Sequence, residues 1–221
     1  MAYALFNWIY IAKEDKSKGV HNPVYTTALL DNSIAQIELP FTTKWDALGG
    51  APGAATSAAT AITGGMYKNY VNGRLYYNQS TNQVYWVHGE ILLKYNSLGR
   101  ESGFLGLPKS DEQDVSGVAG GRWNQFTGGN IYWSATTGAR EMHGEILIDY
   151  LAVGPAILGL PTTDEAGVPG FIAGRKSELQ YGTIYWSGVT GAHEVHGAIR
   201  GKWLAMGGPT VFGMPTSDEQ D

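Results

Sequence analysis

Gly121–Glu165 reads GRWNQFTGGNIYWSATTGAREMHGEILIDYLAVGPAILGLPTTDE, and the chain uses this stretch more than once. Gly174–Glu219 reads GRKSELQYGTIYWSGVTGAHEVHGAIRGKWLAMGGPTVFGMPTSDE. Gly65–Glu112 is a looser copy, GMYKNYVNGRLYYNQSTNQVYWVHGEILLKYNSLGRESGFLGLPKSDE. The copies keep register: Pro108, Pro161 and Pro215 lie 53 and 54 residues apart, and His88, His143 and His196 lie 55 and 53 apart. A period of this length means one small unit used in tandem, and it is read before any single motif.

Each copy has four parts. A short strand, such as 121–127, ends at a Gly pair. A second strand carries Ile131-Tyr132-Trp133, residues that favour extended backbone, and returns through Thr137-Gly138 to Met142 as a hairpin. A helix starts near His143, with Ile146, Leu147, Tyr150 and Leu151 on one face and Gly154 at its end. A Leu-Gly-x-Pro turn and a Thr/Ser-Asp-Glu follow. A unit this small cannot bury its own apolar face, so neighbours must stack around shared cores. The expected fold is a mainly β tandem-repeat array with short helices, preceded by an N-terminal helical hairpin.

That hairpin is expected in residues 1–38. Ala2–Lys13 places Leu5, Trp8, Ile9 and Ala12 on one helical face, and Asn22-Pro23 opens a second helix to about Glu38 with Leu29, Leu30, Ile34 and Ile37 in a stripe. Lys44–Gly50 then aligns with Lys202–Gly208, so 39–64 reads as a degenerate half unit, followed by units 65–117, 118–170 and 171–221. The half unit has Ser57-Ala58-Ala59 where a later unit has Ser217-Asp218-Glu219. Its Ala/Gly/Thr-rich run, 51–65, reads as a flexible stretch.

The 221 residues include 31 Gly, 13 Tyr, 7 Trp and no Cys, and the net charge is −5. No run of Lys and Arg marks a nucleic-acid or anionic-membrane surface. Without cysteine there is neither disulfide nor thiolate metal site. No apolar run reaches the length of a membrane span. Met1–Ile11 is apolar but lacks a basic start and a small-residue cleavage site, so it does not read as a secretory signal and fits the interior of a longer protein.

The motifs Phe104-Leu105-Gly106-Leu107-Pro108, Ile157-Leu158-Gly159-Leu160-Pro161 and Val211-Phe212-Gly213-Met214-Pro215, each followed by Ser/Thr-Asp-Glu, resemble the LGFP repeat. So do Ile131-Tyr132-Trp133, Ile184-Tyr185-Trp186 and the run Gly191–Ile199. Arrays of that family accompany mycoloyltransferases, peptidoglycan hydrolases and esterases of mycolic-acid bacteria. The resemblance implies a β-propeller-like array that anchors to or binds the cell wall, in an extracellular or envelope location. Residues 1–38 stand outside it. Within them, Gly19–Tyr25 resembles the last helical segment of multihaem cytochromes, where a His-Asn-Pro histidine can be a distal haem ligand. His21 holds that place here, and by itself it reads first as the residue before a helix cap. No Cys-x-x-Cys-His is present to attach a haem, and no cofactor is expected.

Three sets of residues are candidates for chemistry. The aromatic pairs Tyr76-Tyr77, Tyr132-Trp133 and Tyr185-Trp186, with the displaced Trp86, sit on strands where neighbours point to opposite faces. One ring of a pair enters the core. The other packs between repeats or offers a platform to the C–H face of a sugar. The histidines at 88, 143 and 196 share one position at a helix start, which suits a structural role, with metal binding as the alternative. The pairs Asp111-Glu112, Asp164-Glu165 and Asp218-Glu219 suit turn capping or pairing with Arg122 and Arg175, with a cation site as the alternative. Hydrolysis needs one pair of carboxylates in unlike environments, not one per repeat. No Gly-x-Ser-x-Gly elbow or phosphate loop occurs.

The expectation is therefore a non-catalytic module without a metal site. Its ligand residues are Tyr76, Tyr77, Trp86, Arg122, Tyr132, Trp133, Arg175, Tyr185 and Trp186, and its partner is arabinogalactan or peptidoglycan. The alternative is a structural module that docks a protein partner through residues 1–38.

Overall fold

The structure, a computed structural model, describes residues 23–219. The expected helix over Ala2–Lys13 and the His21 resemblance lie outside them. The chain divides into two compact units between Tyr85 and Trp86.

The first unit opens with helix α1 (Pro23–Ala47). It does not stop at Glu38, as expected, but runs on through Pro40. A proline removes one backbone donor and disfavours helix before it. Tertiary anchors outweigh that cost. Phe41 is fully buried, and the Glu38 carboxylate accepts from the Ala59 amide at 3.0 Å and pairs with Lys68. Trp45 Nε1 donates to Gly53 O at 2.6 Å, closing the turn behind the helix. The run expected to be flexible carries strand β1 (Thr60–Ile62), which pairs with β2 (Gly65–Tyr70). Strands β3 (Gly73–Asn78) and β4 (Gln83–Val87) complete a four-stranded meander in the order β1-β2-β3-β4. Helix α1 packs on β3.

The second unit holds two further sheets of the same design. One is β5 (Gln113–Asp114), β6 (Arg122–Gln125), β7 (Gly129–Ser134) and β8 (Gly138–His143). The other is β9 (Ala166–Gly167), β10 (Arg175–Glu178), β11 (Gly182–Ser187) and β12 (Gly191–His196). The repeat thus has four strands where the sequence suggests a short strand and a hairpin. In the last two sheets the extra strand is the two-residue edge that follows Asp111-Glu112 and Asp164-Glu165, too short to carry a period. Helices α2 (Gly89–Ser97), α3 (Gly144–Val153) and α5 (Gly197–Ala205) follow the sheets, and short turns of helix α4 (Pro155–Leu158) and α6 (Pro209–Phe212) follow the last two.

Helix α2 packs on β7 and β8, while α3 packs on its own sheet and on β11 and β12. The β7–β8 hairpin is therefore covered on both faces. This is why Gly129–Tyr132 is continuously buried instead of alternating. The shared core joins Tyr132, Met142, Ile146 and Tyr150 of one repeat to Leu179 and Ile184 of the next.

The Leu-Gly-x-Pro turn locks each helix to the following sheet. Leu105 and Leu158 are fully buried, and the turn glycines Gly106 and Gly159 have φ of +62° and +72°. Their carbonyls accept from the buried hydroxyls of Tyr95 at 2.6 Å and Tyr150 at 2.8 Å. A Cβ on Gly159 would stand 2.6 Å from Gln180 Cβ, so the turn excludes a side chain by space as well as by backbone conformation. Pro108 and Pro161 then bridge to Phe126 and Leu179 on the next sheet.

Candidate functional site

Register decides what the aromatic pairs present. Arg122 on β6 stands directly opposite Trp133 on β7, and Arg175 on β10 stands opposite Trp186 on β11. Directly opposed residues share a sheet face, so each sheet displays an Arg–Trp pair. The tyrosines turn the other way. Tyr132 and Tyr185 are 3% exposed. The Tyr132 ring lies 6.0 Å from Trp123 in a stack and 5.2 Å from Tyr150 edge-on. Burial pushes its hydroxyl up to about 12, against the favourable bond from Asn130 Nδ2 at 2.9 Å. Tyr185 meets Trp203 edge-on at 5.3 Å. Trp133 and Trp186 stay half-buried, and Trp186 also borders the shared core.

The first repeat differs. Tyr76 and Tyr77 are both buried, and Met66 stands opposite Tyr77 where later sheets have arginine. Arg74 lies over the Tyr67 ring at 4.4 Å and donates to the Tyr76 hydroxyl at 3.0 Å, while Tyr77 donates to Asn82 Oδ1 at 2.9 Å. Trp86 takes the position that Glu141 and Glu194 hold in the later hairpins. Its ring stacks on His88 at 3.8 Å, and its indole N–H is buried without a partner. Tyr76, Tyr132 and Tyr185 thus offer a ligand no open ring face in this structure. Trp133 and Trp186 keep partial exposure.

The polar residues of the repeat form a frame around these pairs. Arg122 Nε donates to Glu112 at 2.8 Å, and the same arginine pairs with Asp114. The bond to Glu112, offset by burial and helped by Asp114, raises the guanidinium's pKa. Arg175 donates to Glu165 at 2.7 Å. Glu165 and Glu112 are also within 3.4 Å of His143 Nε2 and His88 Nε2. The expected arginine–acid pairing is therefore present. The histidines sit at helix N-caps without capping through their side chains. Their rings instead serve the hairpin. His143 Nδ1 meets Glu141 at 2.7 Å, and His196 Nδ1 meets Glu194 at 2.7 Å.

Glu141 and Glu194 are nearly fully buried carboxylates that sequence reasoning passed over. Each also accepts the backbone N–H of the second acid of the following Asp-Glu, Glu165 at 3.0 Å and Glu219 at 2.8 Å. The Glu-x-His spacing at 141/143 and 194/196 is a signal that could have found them. Among the described residues, Glu194, His196 and Glu219 are placed closely enough to hold a metal ion. The same trio in the preceding repeat, Glu141, His143 and Glu165, is closed by Arg175 and works as scaffold. One more buried acid went unnoticed: Asp149 on α3. Burial first, then the charges of Asp218 and Glu194, push its carboxyl up to about 7.

The repeat family model matches residues 50–103, 105–155 and 158–210, three successive copies that take in most of the chain. The chain belongs to the LGFP repeat family. Each LGFP match opens near a turn and closes at or just after a helix. The unit so defined is one sheet plus one helix, and the signature turn stands at the joint. LGFP repeats are cell-envelope-associated modules, and among the described residues no helix is long and apolar enough to cross a membrane. No curated protein matches the chain.

Proposed function

We propose that this LGFP array is a non-catalytic, extracellular module that binds cell-wall polysaccharide. The observation that carries the reading is the Arg–Trp pair in the same register on two successive sheets, each tryptophan half-exposed and each arginine held by a glutamate. An indole edge and face suit the apolar side of a sugar ring, and a fixed guanidinium with an adjacent carboxylate suits its hydroxyls. Two weak sites on one scaffold gain by avidity. Arabinogalactan and peptidoglycan fragments are the proposed ligands. The propeller-like arrangement is part of the same proposal. Its support is the four-stranded sheet of each repeat, the strand number of a propeller blade.

The test is isothermal titration of arabinogalactan and peptidoglycan fragments against the whole chain, with Trp133→Ala and Trp186→Ala beside it. Binding that weakens severalfold in each single variant and vanishes in the double one supports the reading. No heat with either glycan, from a protein whose circular dichroism shows it folded, removes it.

A second reading has its own observation. Helix α1 exposes Val24, Tyr25 and Ile34, which suits docking of a protein partner through residues 1–38. Deleting 1–38 and comparing native masses with and without envelope extract separates that function from glycan binding.

A further inference from the structure

The last two repeats build one frame of two glutamates and a histidine and close it differently. On β12, Glu194 and His196 lie two residues apart and so share a face of the strand. His196 is the N-cap of α5, yet its side chain makes no capping bond. Its Nδ1 instead faces two carboxylates at once, Glu194 Oε2 at 2.7 Å and Glu219 Oε2 at 3.3 Å. In the preceding repeat the two carboxylates meet different ring nitrogens. His143 turns Nδ1 to Glu141 at 2.7 Å and Nε2 to Glu165 at 3.4 Å. Arg175 then neutralises Glu165, as Arg122 does Glu112 one repeat earlier. Among the described residues no arginine or lysine pairs with Glu219.

One ring nitrogen carries at most one proton, and one proton serves one of the two oxygens well. Besides that ring, Glu219 Oε2 has only a long bond from the His196 amide, at 3.4 Å. Glu194 is 2% exposed, and a carboxylate so placed is costly unless it is paired. Its other oxygen, Oε1, accepts the Glu219 amide at 2.8 Å, so the backbone itself holds Oε2 toward the ring. One ligand atom from each of Glu194, His196 and Glu219 lies within 4.8 Å of the other two. We infer that this trio binds a zinc ion through Glu194 Oε2, His196 Nδ1 and Glu219 Oε2, with water in the fourth position. An imidazole nitrogen among the ligands suits zinc, whereas calcium and magnesium take oxygens. Ligand atoms of a tetrahedral zinc site stand about 3.4 Å apart. His196 Nδ1 and Glu219 Oε2 already match that spacing, and Glu194 Oε2 needs only a small withdrawal. The ring then keeps its proton on Nε2 and turns the Nδ1 lone pair to the metal. The side chains of His196 and Glu219 are 29% and 20% exposed, which gives the ion and its water a way in. The ion does for the last repeat what Arg175 does for the one before, tying the Asp-Glu to its hairpin. This site stands apart from the Arg–Trp pairs and from glycan binding.

The test uses the whole chain without a histidine tag, stripped with chelator and exchanged into metal-free buffer near neutral pH. Zinc chloride is followed by isothermal titration and by thermal unfolding. Expected is one saturable zinc per chain and a melting temperature that rises with zinc. Glu219→Gln keeps the backbone amide that binds Glu194 and removes a ligand charge. It weakens zinc at least tenfold, since even a supporting residue of a metal site is worth that much. His196→Gln gives the same loss and keeps the inference testable if the first variant folds poorly. His143→Gln, in the preceding frame, keeps the wild-type zinc affinity. No saturable zinc binding overturns the proposal. So does binding that Glu219→Gln and His196→Gln both leave intact, which places the ion elsewhere, first at His193. So does binding that His143→Gln weakens equally, or a melting temperature indifferent to zinc.

Discussion

The junction of α2 with the β7–β8 hairpin and that of α3 with the β11–β12 hairpin share their apolar parts and trade their charges. In both, a tyrosine of the helix is fully buried and donates to the carbonyl of the signature glycine, Tyr95 to Gly106 and Tyr150 to Gly159. In both, a nearly buried glutamate of the hairpin meets the histidine two residues on, Glu141 with His143 and Glu194 with His196. The ionic contact varies, from Lys94–Asp164 at the first to His193–Asp218 at the second. Stacking of repeats is held by shape and apolar area. Charge at the rim then differs, an ammonium on the helix meeting Asp164 in one junction and an imidazole on the hairpin meeting Asp218 in the other.

The largest test of that contrast is to remove the shared part. Tyr95→Ala and Tyr150→Ala should each cost about 3–5 kcal/mol, the range for deleting a large buried side chain, measured by urea unfolding followed through tryptophan fluorescence. Similar losses at the two junctions uphold the common apolar plan. A loss at one only would show that the junctions differ in more than charge. Tyr150→Phe, which deletes one hydrogen bond and little volume, should cost about 1 kcal/mol.

Next is the buried carboxylate of the hairpin. Glu141→Ala strips the partner from His143 and from the Glu165 amide, and should cost about 2–3 kcal/mol because a buried donor loses its acceptor. Glu194→Ala should cost a similar amount. A much smaller effect in either would mean that water replaces the carboxylate there. Lys94→Ala removes the ammonium that pairs with Asp164. With Asp164 more than a third exposed, the expected loss is about 1 kcal/mol or less.

The smallest effect depends on pH. The bond to Glu141 raises the pKa of His143 above its ordinary 6.5, helped by the Glu141 and Glu165 charges and opposed by burial and by Arg175. The contribution of that bond is then present in full below about pH 6.5 and fades as the pH climbs through the raised folded value. The melting-temperature gap between wild type and His143→Asn should be widest in mild acid and close above neutrality. A gap that widens with rising pH would contradict the assignment.

Much of this molecule is legible in order along the chain. The repeat, the hairpin through Tyr132-Trp133, the helix from His143 and the stop at Gly154 all follow from period and turn residues, and the structure has them within a residue or two. The arginine–acid pairs were legible too, because they recur at fixed spacing. Three things were not. Helix α1 passes Pro40 because Phe41 and Glu38 are held by other elements. Strands β5 and β9 are too short to show alternation. The burial of Glu141, Glu194 and Asp149 depends on what covers them, and a lone acid in a sequence reads as surface.

The sequence by itself determined the unit, its number of copies and the joint that links them, since glycine, proline and apolar spacing act locally and repeat with the period. Only the tertiary structure decided which ring of each Tyr-Trp pair is available. The covering of β7 on both faces, by α2 and then α3, takes the tyrosine into the core and leaves the tryptophan opposite its arginine at the rim. Alternation along a strand assigns the two rings to opposite faces, but only the packed neighbours say which face meets water.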